Sequence, residues 1–275
     1  MDTELRLKEQ ALACQLEKIP SCVIALSGGL DSIFLAAMAK SHVPGRTVCA
    51  TVVDPSTPDC DILSAKEAAA RHGLEHIVLI SGIHPDVRRN SPERCYICKS
   101  QIFQKLEEIR EREGLAKILD GENASDSGDD RPGSRAAREC GIISPLSDAN
   151  LTKQDIRMLA KSAGIQEWDR PASACLSSRI PYGTEISNET LKKIDATEQF
   201  IRSKGIRMIR ARSEGDCTRL ELGQDENTEK NRALLGALLK EIKSFGWASV
   251  KIDPTGYVTQ FRESVQIHIS FVEHV

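Results

Sequence analysis

Short apolar runs, each followed by a helix-like pattern, recur through the first two thirds of the chain and leave few architectures open to it. Runs at 22–26, 47–53 and 77–80 precede helical patterns at 31–41, 62–72 and 93–113, and "AKILDG" (116–121) and "GIISPL" (141–146) supply two further runs. Strands that alternate with helices form a parallel sheet, because a parallel neighbour can be reached only by a long return connection. The spacing therefore predicts an α/β fold over residues 1–170, with a five-stranded parallel sheet and helices on both faces. "TKQDIRMLAKSAGI" adds a helix with Thr152 as its N-cap. Residues 171–186 carry two prolines and no periodicity, and read as a connector. Beyond it, a helix at 188–203, runs "IRMIRAR" and "CTRLELG", a helix at 227–245 and short runs "ASVKI" and "VQIHIS" predict a smaller α+β domain over 187–275.

Open parallel sheets place ligands beyond the carboxyl ends of their strands. Three loops fall there, at 27–31, 54–59 and 122–135. A formal net charge of -3 lacks the basic excess of a chain that binds mainly nucleic-acid phosphates. The first residues are charged throughout, unlike a signal peptide, and no apolar run approaches membrane-spanning length, which predicts a cytoplasmic protein without a membrane partner. Its nine cysteines are then expected as reduced thiols.

The first run breaks into Ser27-Gly28-Gly29 and resumes at Leu30, so a strand, a glycine turn and a helix N-terminus meet. Such a junction aims backbone N–H groups and the positive end of a helix dipole at an anion. Ser27 and Ser32 add hydroxyls, but the lysine of a GxxxxGK[ST] phosphate loop is missing. "SGGLDS" after a first strand resembles the pyrophosphate loop of the N-type ATP pyrophosphatases. That resemblance implies cleavage of ATP between its α- and β-phosphates. It also implies ATP contacts from Ala25, Leu26, Ser27, Gly28, Gly29 and Ser32, Mg²⁺ or phosphate organised by Asp31, and adenosine bordered by Val53.

Cys95 and Cys98 lie three apart in "RCYICK" and share one face if the segment is helical. A C-x-x-C alone leaves a redox pair, half of a zinc site and coincidence all open. Cys175 stands in the irregular stretch "PASACLSSRIPYG" beside Arg179, and a nearby cation is expected to lower its pKa.

Taken in order, "ALSGGLDS", "RCYICK", "DGENASD", "PASACLSSRIPYGTEI" and "IRARSEGDCTRLELG" resemble the LarE family across essentially the whole chain. These are ATP-dependent sulfur transferases that make the thiocarboxylates of a nickel-pincer nucleotide. The resemblance implies a pyridinium biscarboxylic acid mononucleotide as acceptor, Cys175 and Glu198 as catalytic residues, and further nucleotide contacts from Arg94, Gly121 and Asp126. It also implies a [4Fe-4S] cluster on Cys95, Cys98 and Cys175, fed by inorganic sulfide or another sulfur donor. The single-cysteine form of the family instead gives up the sulfur of the residue matching Cys175. A homo-oligomer, from dimer to hexamer, is implied as well.

Arg210 and Arg212 alternate on a predicted strand, which puts both guanidinium groups on one face, suited to phosphate. By resemblance they join Arg179 at the substrate's phosphate. Ser213-Glu214-Gly215 departs from the family's His-Gly, and Glu122 and Ser125 stand where threonine and aspartate are expected. A tRNA thiolase, an amidating synthetase and a non-catalytic nucleotide or iron–sulfur carrier are the competing readings.

Overall fold

The computed structural model describes residues 3–126 and 132–257. The first sheet contains β1 (Cys22–Ala25), β2 (Thr47–Val53), β3 (Glu75–Ile80) and β4 (Lys117–Leu119), in the order β3-β2-β1-β4 with every pairing parallel. Between and around the strands run α1 (Thr3–Leu16), α2 (Leu30–His42), α3 (Asp59–Arg71), α4 (Pro85–Arg88) and α5 (Arg94–Arg112). After β4 come α6 (Pro132–Glu139), α7 (Pro145–Asp148) and α8 (Lys153–Ser162).

Alternation along the strands sends side chains to two cores, as a sheet covered on both faces requires. Cys22, Ile24, Cys49 and Leu119 pack with α1, α2, α3 and α8, whereas Val23, Val48, Ala50 and Ile118 pack with Phe103, Leu106 and Ile109 of α5 and Ala136 and Ala137 of α6. Thr152 caps α8 in a full capping box with Asp155, as its sequence predicts.

The predicted fifth strand is reduced to one parallel bridge, Ile143 to Leu119. Two residues later Pro145, which has no N–H to give a ladder, starts α7. The sheet therefore has four strands. Part of the predicted loop at 122–135 also folds, because a 3-10 turn spans Ala124–Asp126 and α6 begins at Pro132.

A second sheet pairs β5 (Ile209–Glu214) antiparallel with β6 (Cys217–Leu222), and β6 parallel with β7 (Ser249–Ile252). Across it lies α9 (Asn188–Ser203), whose Leu191, Ile194 and Ile201 share a core with Ile209, Ala211, Leu220 and Leu222. The helix predicted at 227–245 splits into α10 (Glu229–Ala237) and α11 (Leu239–Lys243). At the break the Leu238 N–H bonds both Leu234 and Leu235 carbonyls, a local tightening of the turn. Ile83 and Val87, from the first part of the chain, also enter this core. The run "VQIHIS" lies outside the described residues. Among those described, no helix is long and apolar enough to cross a membrane.

Candidate functional site

The carboxyl end of β1 supplies the anion-facing part of the site. Gly28 has φ +80°, and a Cβ there would stand 2.1 Å from the Asp61 carbonyl oxygen, so only glycine fits. Gly29 is the N-cap of α2 and no side chain caps the helix, which leaves its first-turn N–H groups for a ligand. Ser32 is buried and organises the turn: its hydroxyl donates to the Gly29 carbonyl at 2.9 Å, accepts from the Ser27 N–H at 3.2 Å and lies 3.1 Å from the Ser27 hydroxyl. Ala25 ends β1, while Leu26 donates to Ala50 and accepts from the Thr51 hydroxyl, which locks the strand end to β2. The Val53 carbonyl is taken by the Ser81 N–H.

β4 closes the other side of this loop. Gly121 approaches so closely that a Cβ would lie 2.9 Å from the Ser32 backbone nitrogen. Asn123, fully buried, donates to the Asp31 carboxylate at 3.0 Å. Asp126 pairs with Lys153 at 2.8 Å, and the Ser125 hydroxyl accepts from the Lys153 N–H. Burial pushes the Asp31 carboxyl above its usual range, and Asp126 adds to the shift although Lys153 and Asn123 oppose it. Asp31, a half-buried carboxyl whose charge is disfavoured, suits a divalent cation. Lys153, paired with Asp126, places a positive charge near Asp31, beside a loop that has no cationic side chain of its own. Its only sequence signal is its place, next to the Thr152 cap.

Asp61 ties this end to the thiols. Its two carboxylate oxygens accept from Arg170 at 2.7 Å and from the Ser173 hydroxyl at 2.6 Å, and the Leu176 N–H reaches the Ser56 carbonyl at 2.8 Å. The connector is thus moored to the loop after β2 and to the start of α3, with Cys175 between its two anchors, and the Asp61 carbonyl in turn packs against Gly28 of the loop after β1. Cys175 is exposed at the surface of the connector, with Arg94, Cys95 and Arg179 close enough to act on its charge. Desolvation raises its thiol pKa, and Arg94 and Arg179 only partly offset this, so the expected lowering by neighbouring cations is corrected.

Cys95 and Cys98 occupy the first two turns of α5, half-buried, and no described cysteine forms a disulfide. The Cys98 thiol is pushed up to about 12, by burial first and then by Cys175, Asp54 and Cys95. The three sulfurs therefore share one electrostatic neighbourhood. Among the described residues no three His, Cys, Asp or Glu side chains converge as they would around a single ion. In an iron–sulfur cluster each thiolate binds its own iron, so Cys95, Cys98 and Cys175 offer the donor chemistry of such a group without converging on one ion. A narrow cleft lined by Val52, Asp54 and Ser81 opens beside Cys98. A hollow of about 460 Å³ at Arg88, Arg89 and Glu185 contains none of the predicted site residues.

The arginines sort themselves by partner. Arg179, expected at a phosphate, is buried with its fork on Glu198 (2.9 Å twice) and its remaining nitrogen on the carbonyls of Ala174 and Cys175. It shapes the Cys175 turn and offers phosphate no open fork, which corrects that expectation. Glu198 is equally buried, accepts also from Arg202 and the Ala211 N–H, and serves as counter-ion rather than as a group open to a ligand. Burial alone would raise its carboxyl, but Arg179, Arg202 and Arg210 hold it below its ordinary range. Arg94 donates to Asn90 and to the Ser177 carbonyl, stacks on Tyr182 at 4.9 Å and keeps a buried Nε without a partner, beside Cys175 rather than at the glycine turn. Arg210 and Arg212 do share one face of β5, as their alternation predicts. Arg212 pairs with Glu221 at 2.9 Å and donates to the Ser178 carbonyl at 2.8 Å.

The asparagine synthase family model matches residues 5–86, the segment from α1 to α4 that contains the glycine turn. An uncharacterized protein of Synechocystis is 33% identical over 87% of this chain and 91% of its own length. Pyridinium-3,5-bisthiocarboxylic acid mononucleotide synthase of Lactiplantibacillus plantarum is 30% identical over 92% of each chain. An uncharacterized protein of Methanocaldococcus jannaschii is 32% identical over 84% of this chain and 88% of its own length.

Proposed function

This chain belongs to the LarE family of pyrophosphate-loop enzymes, and from that membership we propose that it is an ATP-dependent sulfur transferase that converts a carboxylate of a pyridinium mononucleotide into a thiocarboxylate. We assign activation to residues 1–170, sulfur delivery to the connector at 171–186 and acceptor binding to residues 187–275.

The observation that carries this reading is the mooring of the Cys175 connector to the glycine turn through Asp61. It supports a site that uses both an anion-binding turn and a thiol group. In the proposed reaction a carboxylate oxygen of the acceptor attacks the α-phosphorus of ATP, the bond to the β-phosphate breaks, and pyrophosphate leaves. The open N–H groups at the start of α2, with Ser27 and Lys153, hold the departing charge, and Asp31 with Asp126 hold Mg²⁺. A sulfur nucleophile then attacks the activated acyl carbon and AMP leaves, so one oxygen of the acceptor is exchanged for sulfur.

Cys95, Cys98 and Cys175 are the residues that would hold a four-iron cluster, which when bound supplies a transferable sulfide. Arg94 and Arg179 lie near Cys175 and favour its thiolate, the ligand form, against the burial that opposes it. Arg210 and Arg212 hold the acceptor's phosphate, with Arg179 fixing the turn between them and the thiol.

The test is anaerobic reconstitution with iron and sulfide, followed by absorption spectroscopy and metal counting. The reading predicts a thiolate-to-iron charge-transfer band that Cys95→Ala, Cys98→Ala or Cys175→Ala weakens or removes. Full sulfur transfer by a colourless protein, with one sulfur missing from the polypeptide after turnover, supports the sacrificial use of Cys175 instead.

A further inference from the structure

Arg210 is a buried cation without a salt bridge among the described residues; the charge of Glu198 acts on it, but the Glu198 oxygens are taken by Arg179, Arg202 and the Ala211 N–H. Arg210 is 4% exposed, its Nη1 and Nη2 donate to the carbonyls of Ile209 and Ala172, and among the described residues no carboxylate lies within ion-pairing distance of it. Arg179 and Arg212 each have such a partner. A buried guanidinium left this way is costly unless something negative or electron-rich completes it.

What covers it is Tyr257. The guanidinium carbons of Arg210 and Arg212 lie 5.2 Å and 5.6 Å from the centroid of its ring, so one aromatic side chain meets both arginines. The residue is pinned by its main chain: its N–H donates to the Leu222 carbonyl at 2.6 Å, and its carbonyl accepts from Gln224 Nε2 at 3.2 Å. These bonds belong to the bridge between Gly223 and Tyr257, beyond the end of β6, and they set where the ring stands.

We propose that Tyr257 is a positioning residue that makes the site selective for a phosphorylated acceptor, by stacking on both guanidinium groups and leaving to the phosphate those N–H groups that the carbonyls of Ile209, Ala172 and Ser178 and the Glu221 carboxylate do not take. The ring's negative face offsets the repulsion between two adjacent cations and keeps water from the buried one. Fixed planes then present donors to two phosphate oxygens at little further entropic cost. This inference rests on the reading of Arg210 and Arg212 as phosphate ligands.

The experiment compares binding of nicotinate mononucleotide and nicotinate riboside, probes that differ only in the phosphate, by calorimetry on the full chain. Thermal melting of each variant checks that it is folded. Tyr257→Leu should weaken the mononucleotide about tenfold, the effect of losing contacts worth about 1–2 kcal/mol together, and leave the riboside within about twofold. Tyr257→Phe, which keeps the ring, should bind both as the wild type does. An equal change for both probes, tighter mononucleotide binding by Tyr257→Leu, or a Phe variant as weak as the Leu variant overturns the inference. Arg212→Gln separates the two levels. If it abolishes the preference for the mononucleotide and Tyr257→Leu does not, the phosphate reading stands and the role of Tyr257 falls. No preference in the wild-type chain, or one untouched by Arg212→Gln, overturns both.

Discussion

The turn at 27–32 and the connector at 172–179 touch the same residue, Asp61, yet they are built in opposite ways. The turn keeps its donors open: Gly29 caps α2 without a side chain, and Ser27 is exposed. The connector has spent its donors. Arg179 alone holds Glu198 and two carbonyls of the connector, while Arg94 and Arg212 hold the carbonyls of Ser177 and Ser178. A site for a mobile polyphosphate needs unsatisfied donors that the ligand completes. A thiol that must stand at one spot needs a backbone fixed before the ligand arrives.

The sharpest way to break that contrast is at Glu198. Glu198→Ala strands the buried Arg179 and is expected to destabilise the fold by about 3–5 kcal/mol, measured by denaturant unfolding. The pH dependence carries the same signature. The Glu198 carboxyl lies below its ordinary range, so its contribution to stability is full above that range and is lost as pH falls from there through the lowered folded value, and Glu198→Gln flattens this acid limb.

At the turn the next largest effect is expected on chemistry. Gly28→Ala forces a Cβ against the Asp61 carbonyl at a positive φ, which costs about 1–3 kcal/mol of stability. Displacement of the turn should also slow pyrophosphate release about 100-fold, read by a coupled pyrophosphate assay. Lys153→Met leaves the backbone cradle intact and removes one charge from the departing pyrophosphate, so kcat should fall about tenfold with KM for ATP changed less. Smallest is Thr152→Ala, which removes the cap of α8, costs about 1 kcal/mol in thermal unfolding and tests whether that helix end positions Lys153.

What was legible beforehand follows the same division. The glycine turn depends on residues within five positions of each other, and the strand–helix alternation depends on local periodicity, so both could be read from the chain. Helix 188–203 and strand 47–53 fall at the predicted residues. The fifth strand failed because Pro145 claims the run for a helix, and the long helix at 227–245 failed because the turn tightens at Leu238. At the connector the partners lie far apart in sequence: Ser173 with Asp61, Leu176 with Ser56, Arg212 with Ser178. No pattern in the chain announces such pairs. For the same reason Cys175 was expected to be acidified by its neighbours, whereas the mass of protein around it, invisible in the sequence, decides the sign.

The most direct test follows both halves of the reaction in one vessel, with ATP, Mg²⁺, sulfide and a pyridinium dicarboxylate mononucleotide, by product mass and pyrophosphate assay. The account predicts AMP and pyrophosphate in equal amounts, dependent on the acceptor, and an acceptor with one oxygen replaced by sulfur. It predicts that Cys175→Ala keeps pyrophosphate release and loses the sulfur. ADP with orthophosphate as products, or a thiocarboxylate formed undiminished by Cys175→Ala, would contradict it.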